Sequence, residues 1–251
     1  MKALLRWTLF VLAALLALQL FFVIRIALMA VVAPESTSFE RSEAWRILHE
    51  KDRLRWRQQW VNYGDISDNL KRAVIASEDG SFNYHEGVDW DALEKAWEKN
   101  AKAQERAAKQ ATKSAQASKV APKASTKPVK VVGGSTITQQ LAKNLFLSGE
   151  RTLVRKGQEL VLTLLLEQLL GKRRILELYL NHVEWGEGVF GAEAAAQHYF
   201  RKPASRLTAY EAARLAVMLP RPRYYEKLPN SGYLADRAST IQARMPDATL
   251  P

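Results

Sequence analysis

The chain has 251 residues, 47% of them hydrophobic and 25% charged, which is typical of one globular domain with short appendages. It contains no cysteine, and this excludes disulfides, thiolate metal sites and cysteine nucleophiles. The four histidines form no HExxH pattern, so the sequence predicts no histidine metal site. The net charge of +11 favours a polyanionic neighbour, such as nucleic acid, an anionic membrane surface or a phosphorylated substrate.

An uncharged, apolar segment lies close to the N-terminus, over residues 7–24. It is about as long as the shortest helix that spans a hydrocarbon core of roughly 30 Å. The apolar character resumes after Arg25, and the basic residues before the segment favour a cytoplasmic N-terminus. We therefore predict a cytoplasmic tail over 1–6, a transmembrane anchor over 7–33 and an outer domain over 34–251. A cleaved signal peptide is the alternative interpretation.

A basic, low-complexity stretch occupies residues 98–130, with nine lysines and arginines against two glutamates and no aromatic residue. Such a composition cannot bury a core, so we interpret the stretch as a solvated insertion with a disordered tail. Its first part is rich in good helix formers, and we expect a helix that begins near Asp89 to continue to about Gln110. The alternative is a basic arm that binds anionic lipid headgroups or wall polymer.

The periodicity of the remaining sequence is helical and predicts a mainly α domain. Apolar residues recur at helical spacing after Ser67, after Asp89 and after Thr208, each of which can cap a helix N-terminus. Two longer helical stretches, 155–170 and 172–181, are separated by a glycine. Few runs alternate with period two, so we expect little β-structure.

The first motif that could carry chemistry is SEDGSFNYHEG, residues 77–87. Glu78 and Asp79 end an apolar helix, where the negative end of the helix dipole raises a carboxyl pKa. Phe82 and its aromatic neighbour reduce the hydration of these carboxyls, and His85 follows between turn residues. A carboxyl with a raised pKa suits general acid–base catalysis, whereas an acidic pair in a solvated turn is the alternative.

The second motif is GGSTITQQLAKNLFL, residues 133–147, in which a glycine-rich turn leads into a helix. Thr136 and Gln139 have the spacing of a capping box, which predicts the helix start there. A glycine-rich entry to a helix N-terminus suits an anion, although the motif is not a Walker A loop. An ordinary amphipathic helix with a solvated face is the alternative. The polar stripe of this helix consists of Thr136, Gln140, Lys143 and Asn144.

The third motif is RKGQE, residues 155–159, at the start of a long apolar helix. Arg155 and Lys156 lie about one helical turn before Glu159, and side chains at this spacing meet on a helix surface. The pattern indicates either a carboxylate held by two cations that bind a phosphate, or a surface ladder of ion pairs.

These motifs, followed by ILELYLN at residues 175–181, occur in an order that resembles the peptidoglycan glycosyltransferases of glycosyltransferase family 51. The resemblance covers residues 63–242 apart from the 98–130 stretch, which is longer and more basic than the corresponding family loop. Residues 188–208 are most similar to the monofunctional biosynthetic peptidoglycan transglycosylases of Gram-negative bacteria. Neither SxxK nor KTG occurs, so we expect no transpeptidase activity.

The resemblance implies a mainly α, lysozyme-like glycosyltransferase domain with a small membrane-proximal jaw lobe. It implies an enzyme that polymerises lipid II into β-1,4-linked glycan strands, with inversion at the anomeric carbon and release of undecaprenyl pyrophosphate. In the family pattern Glu78 is the general base and Glu159 is the second catalytic glutamate, on the side of the leaving diphosphate. The resemblance assigns substrate contacts to Asp79, Phe82, His85, Ser135, Thr136, Gln140, Lys143, Asn144, Arg155 and Lys156.

The resemblance also implies the setting of the reaction. The partners are lipid II, the growing glycan strand and membrane lipid, with other cell-wall synthesis proteins as further candidates and no nucleic acid. We expect a single-pass protein of the bacterial inner membrane, with its catalytic domain in the periplasm, that serves cell wall biogenesis and cell shape. No metal or other cofactor is assigned, and a divalent cation at the pyrophosphate is the one candidate.

Two other functions compete with glycan polymerisation. A lysozyme-like glycan hydrolase would also use glutamates on an α fold, but the cations of the later motifs have no task in cleaving neutral sugar links. A non-catalytic, membrane-tethered polyanion-binding protein would fit the charge, but no nucleic-acid-binding signature occurs. Because residues 98–130 supply most of the net charge, the motif-bearing remainder is only mildly basic.

Overall fold

The structure is a computed structural model of the chain, and it describes residues 1–117, 134–147, 149 and 152–251. The chain divides into two compact units. The first unit combines Met1–Gly87 with Thr136–Pro251, and the second is Val88–Ser135. The predicted disordered tail of the basic stretch falls after residue 117 and lies outside the described residues.

The described residues are mainly helical, which confirms the predicted fold class. Short 3₁₀ turns connect several of the helices. The α-helices are, in chain order, α1 Lys2–Leu28, α2 Ser38–Lys51, α3 Asp68–Glu78, α4 Trp90–Ala117, α5 Ile137–Phe146, α6 Leu153–Leu169, α7 Lys172–His182, α8 Ala192–Phe200, α9 Ala209–Met218, α10 Pro222–Tyr225 and α11 Gly232–Arg244.

One small sheet accompanies these helices in the first unit, with strand order β1-β3-β2. The strands are β1 Arg57–Gln58, β2 Glu184–Gly186 and β3 Val189–Phe190. β3 pairs in parallel with β1, with Arg57 opposite Val189, and antiparallel with β2. The sheet joins the segment after α2 to the hairpin that follows α7.

Most helix starts follow local cap signals in the sequence. Ser67 caps α3 through its side-chain oxygen, as predicted. Thr136 and Thr208 form capping boxes at the starts of α5 and α9, also as predicted. A further box, formed by Thr37 and Glu40, starts α2. Each box pairs residues three positions apart, so sequence spacing alone identifies it.

The central helix of the first unit is α7, in which every residue from Ile175 to His182 is buried. A helix buried on all sides lies inside a domain, and its polar side chains then need partners. Glu177 accepts the backbone N–H of Tyr63 at 2.6 Å. Asn181 pairs with both backbone groups of Val61, each at 2.9 Å.

The helix that ends at the first motif is fixed by apolar packing. α3 packs against α9 and α11. Leu70 and Val74 of α3 are fully buried, as are Leu215 of α9 and Ile241 of α11. Burial of such side chains stabilises each by roughly 1.5–3 kcal/mol relative to exposure. This packing fixes where the last residue of α3, Glu78, emerges.

Within the described residues, α1 is the helix long and apolar enough to cross a membrane, by length and composition. It also contacts helices that carry the later motifs. The ring of Phe22 lies 5.4 Å from that of Phe146 at the end of α5. The side-chain amide of Gln19 donates to Gln158 of α6 at 3.2 Å. These contacts lie within the compact unit that also contains the first and third motifs and α5 of the second.

The turn between β3 and α8 requires a glycine. Gly191 has a φ of +84°, a backbone conformation that L side chains rarely adopt. A Cβ atom at this position would lie 2.6 Å from the carbonyl oxygen of Asn181. Gly191 therefore allows the start of α8 to approach α7 closely.

The second unit contains α4. The side chain of Asp89 accepts the backbone N–H of Ala92 at 2.7 Å, which confirms the predicted cap. The helix continues to Ala117, beyond the predicted end near residue 110. Trp90 and Trp97 are exposed at 65% and 79%. Because α4 extends to Ala117, the first part of the basic stretch is helical, as its composition predicts.

Candidate active site

The first motif begins with Glu78, the last residue of α3. Its Oε2 accepts a hydrogen bond from Nε2 of Gln140 at 3.0 Å. Burial raises the pKa of the Glu78 carboxyl, and the charge of Asp79 raises it further. The hydrogen bonds from Gln140 and Ser77 and the charge of Arg237 act in the opposite direction. Desolvation is the largest of these influences, so the pKa lies above that of an ordinary glutamate.

The partner of Glu78 is itself held by a residue that the sequence analysis did not single out. The hydroxyl of Tyr179, on α7, donates to Oε1 of Gln140 at 2.9 Å. Tyr179 is fully buried. The signal that could have identified it is its position: a tyrosine on a helix buried on all sides needs a polar partner for its hydroxyl.

Asp79 joins the first motif to the second. Its Oδ1 lies 2.8 Å from Nε2 of His85, and its Oδ2 accepts the backbone N–H of Ile137 at 3.0 Å. Ile137 is the first residue of α5, so Asp79 satisfies one of the free N–H groups at that helix start. The structure thus brings Asp79 and His85 together and connects them, through Asp79, to the start of α5.

Phe82 is fully buried, and its ring centre lies 6.5 Å from that of His85. Nζ of Lys172 lies 4.6 Å from the centre of the Phe82 ring, close enough for a cation–π interaction. The same amine donates to the carbonyl oxygen of His85 at 2.6 Å and to Glu167 at 2.8 Å. Lys172 is a second residue of this region that the sequence analysis missed, because nothing in the local pattern around it indicates a long-range partner.

The second motif lies on α5 and just before it. Thr136 is buried, accepts the backbone N–H of Gln139 at 3.1 Å and donates to the carbonyl oxygen of Gly87 at 2.6 Å. Lys143 is exposed and Asn144 is buried, both about one turn after Gln140 on the same helix. The predicted polar stripe therefore has one exposed cation next to buried and partly buried polar groups. Ser135 is exposed and belongs to the second unit.

The third motif lies at the start of α6, which packs against α5. Arg155 donates to Glu159 at 3.0 Å, and Lys156 donates to the other oxygen of the same carboxylate through a short contact. Glu159 is only 4% exposed. The buried Nε of Arg155 has no hydrogen-bond partner within the described part of the chain. The expected grouping of one carboxylate with two cations is thus present.

A cavity of about 600 Å³ lies elsewhere in the first unit, between the end of α2 and the turn of the β2–β3 hairpin. Arg55, Trp56, Glu187 and His198 are among the residues that line it. None of its lining residues belongs to the three motifs. Cavity volume is therefore a poorer guide to the active site than the titratable side chains described above.

Comparisons with known proteins point to one family. The profile of the Transglycosylase family matches residues 46–127 and 111–246. The biosynthetic peptidoglycan transglycosylase of Burkholderia multivorans is 52% identical over 239 residues, which cover 95% of this chain and 88% of that protein. The protein of the same name from Burkholderia thailandensis is 52% identical, over 94% of this chain and 83% of its own. The one from Burkholderia vietnamiensis is 51% identical, over 94% and 86%.

Proposed function

The chain belongs to the transglycosylase family, and we propose that it polymerises lipid II into β-1,4-linked glycan strands of the cell wall, with release of undecaprenyl pyrophosphate. Relatives that share 52% identity over 95% of the chain are named biosynthetic peptidoglycan transglycosylases, which supports this enzyme class. The observation that carries the chemistry is the carboxyl of Glu78, whose raised pKa and amide partner suit a general base.

In the proposed reaction, Glu78 accepts the proton of the 4-hydroxyl group of the acceptor sugar. The hydroxyl oxygen forms a bond to the anomeric carbon of the donor while the bond from that carbon to the diphosphate oxygen breaks. The diphosphate leaves with the electron pair, and the configuration at the anomeric carbon inverts. Because diphosphate is a good leaving group, the reaction needs positive charge near it more than it needs a strong acid.

The proposed source of that positive charge is the third motif together with Lys143. Arg155 and Lys156 would face the diphosphate while Glu159 holds them in place. Nε of Arg155 has no partner among the residues that the structure describes, and this supports the role, because a buried donor needs an acceptor and an oxyanion would provide one. Lys143 is exposed on α5 and adds a further cation near the donor.

The remaining predicted contacts divide into two proposed groups. Asp79, His85, Phe82 and Thr136 are engaged by other groups of the chain or buried, and we propose that they support the site. Ser135, Gln140 and Asn144 are polar residues of the second motif, and we propose that they contact the donor, Gln140 while it also holds the base. These roles rest on the family pattern.

A divalent cation at the pyrophosphate is the cofactor candidate that the sequence suggests. The third motif does not fit such an ion well, because both oxygens of Glu159 already accept from cationic side chains. Arg155 and Lys156 would also repel a divalent cation close to them. We therefore derive no step through a metal ion, and we assign charge stabilisation to the side chains.

We propose that the reaction takes place at the outer surface of the bacterial inner membrane. α1 is compatible with a single-pass anchor, and the substrate is a lipid. In this proposal residues 1–6 are cytoplasmic, 7–33 include the anchor and 34–251 form the periplasmic domain. In this setting the enzyme binds membrane lipid and the growing glycan strand, and other cell-wall synthesis proteins are candidate partners.

The test uses the detergent-solubilised full chain with purified lipid II. We expect long glycan polymer from the wild type and a rate about 10²–10⁴-fold lower from Glu78→Gln, which retains the shape of the side chain but cannot accept a proton. Exposed Glu50→Gln, on α2, is the matched control and should polymerise normally. Polymer formation by Glu78→Gln at the wild-type rate would contradict the assignment of the base.

The same assay, run beside an incubation with finished wall material, separates the competing functions. A glycan hydrolase would release fragments from finished wall material and form no polymer from lipid II. A non-catalytic polyanion-binding protein would give neither product. Either result would overturn the proposed polymerase activity.

A further inference from the structure

We infer that Tyr179 is a positioning residue for the reaction: it fixes the orientation of the Gln140 amide so that the amide nitrogen, and not the amide oxygen, faces Glu78. This inference rests on the proposed role of Glu78 as the base. It adds a third member to the base arrangement, from α7, the helix that carries the ILELYLN run and to which no catalytic role has been assigned above.

The geometry forms a chain of two hydrogen bonds. The hydroxyl of Tyr179 donates to Oε1 of Gln140 at 2.9 Å, and Nε2 of Gln140 donates to Oε2 of Glu78 at 3.0 Å. The two ends of an amide differ, since the oxygen only accepts and the nitrogen only donates. A donor on one side therefore fixes which end reaches the other side. Tyr179 supplies that donor.

Tyr179 acts as a donor across the working pH range. Burial raises the pKa of its hydroxyl well above the ordinary value, and the charges of Glu78 and Asp79 raise it further. The hydroxyl thus stays protonated when the carboxylates are ionised. Its Cα is fixed because α7 is buried on all sides and cannot shift without disturbing the core.

Other groups around Glu78 do not take over this task. Ser77 precedes it in the same helix, and its hydroxyl is 3.4 Å from Oε1 of Glu78, at the limit of a hydrogen bond. Asp79 is occupied by His85 and the start of α5. Arg237 of α11 acts through its charge and lowers the pKa of Glu78. Gln140 is the side-chain amide in this set, and Tyr179 is its partner.

Removal of the Tyr179 hydroxyl has a defined electrostatic consequence. The Gln140 oxygen would lose its donor, and the amide would then turn away or rotate by half a turn. Rotation brings the amide oxygen against Glu78, which is tolerated only when the carboxyl is protonated. Both outcomes remove a hydrogen bond to the ionised base, so both raise the pKa of Glu78.

The test is the pH profile of kcat/KM for Tyr179→Phe in the full chain with lipid II. The acid limb should move to higher pH by about one unit, because a hydrogen bond to a charged group is lost. Activity below the limb should fall about tenfold, while the rate at high pH recovers towards the wild type.

A matched control is Tyr199→Phe. Tyr199 is also partly buried and donates to a backbone carbonyl, that of Trp185, at 2.8 Å. It lies outside the proposed site, so its loss should lower thermal stability without moving the acid limb. A pH profile of Tyr179→Phe that matches the wild type, with only a lower melting temperature, would show a purely structural role and overturn the inference.

A double-variant cycle tests whether Tyr179 acts on Glu78 through the Gln140 amide or by another route. If Tyr179 acts through the amide, Tyr179→Phe should not move the acid limb further in a Gln140→Leu background. An additional shift in that background would contradict the inference. Failure of the proposed function is distinguishable, because it would appear as no polymer from the wild type. Failure of the base assignment would appear as an active Glu78→Gln variant, and neither result is an unchanged pH profile of Tyr179→Phe.

Discussion

Two carboxylates of the first unit have opposite surroundings. Glu78 ends α3 and has a neutral amide as its hydrogen-bond partner, and burial raises its pKa. Glu159 lies in the first turns of α6, is only 4% exposed, and receives two cationic side chains on its two oxygens. Glu78 therefore keeps a neutral hydrogen-bond partner, whereas both oxygens of Glu159 accept from cations. The neighbours of a carboxylate, and not its burial alone, decide what it can do.

This difference assigns separate tasks to the two ends of the proposed reaction. A base must bind and release a proton, which requires partners that do not neutralise its charge permanently. A diphosphate site must hold cations in place, and a buried carboxylate can do this at the expense of its own reactivity. The first and third motifs thus have complementary electrostatics, and α5, which supplies the Gln140 partner of Glu78, packs against α6.

The largest expected effect comes from removing the base. We predict that Glu78→Gln lowers the polymerisation rate by about 10²–10⁴-fold, because the amide cannot accept the proton of the acceptor hydroxyl. Binding of a non-reactive donor analogue should change little, since the cations of the third motif are untouched. The measurements are single-turnover polymerisation and analogue titration. A loss confined to analogue binding would place Glu78 on the donor side, and the proposed division of tasks between Glu78 and Glu159 would then be wrong.

The next largest effect is expected from removing a cation of the third motif. Arg155→Ala should weaken binding of a phosphoglycolipid that resembles the donor strand by about 10–100-fold, since a charge-assisted hydrogen bond is lost. Arg155→Lys should recover part of this affinity, because an ammonium cannot grip an oxyanion through two parallel donors. The acid limb of the pH profile should stay in place. Wild-type affinity in Arg155→Ala would rule out the diphosphate role.

Some of these arrangements could be predicted from the sequence, and the reason is locality. The boxes at Thr136 and Thr208 and the ion pairs of Glu159 join residues three or four positions apart, so their spacing is visible in the sequence. Tyr179 and Lys172 were missed because their partners lie 39 and 87 positions away. Such contacts depend on how helices pack, which no local pattern encodes.

A smaller effect concerns stability. Folding raises the pKa of Glu78. The protonated carboxyl therefore adds to the free energy of unfolding at pH values below the ordinary pKa, and this contribution is lost as the pH rises through the raised pKa. Gln at this position cannot ionise, so we expect Glu78→Gln to melt slightly above the wild type at pH 8. The gap should close towards pH 4, where both side chains are neutral. Thermal unfolding of both proteins across this range measures it. If the melting temperature of Glu78→Gln minus that of the wild type were lower at pH 8 than at pH 4, the prediction would be contradicted.

The second comparison is between the two units. The first contains Glu78, Gln140, Tyr179 and the third motif, joined by hydrogen bonds and packed helices. The second contains α4, whose residues beyond Asn100 carry alanine, lysine and glutamine and no aromatic side chain. Exposed ion pairs such as Lys102–Glu98 join successive turns of α4, and pairs of this kind contribute little to stability.

The smallest expected effect therefore comes from deleting residues 101–128. We predict that the deletion leaves polymerisation in neutral detergent within about twofold of the wild type, because the deleted part of α4 is joined to the rest of that helix by exposed ion pairs that contribute little to stability. On anionic liposomes the deleted chain should lose rate relative to the full chain, since each lysine near such a surface contributes about 1 kcal/mol of attraction. The measurement is the ratio of rates in anionic liposomes and neutral detergent for both proteins. Complete loss of activity in detergent would make the stretch part of the catalytic machinery, and the contrast between the two units would then be wrong.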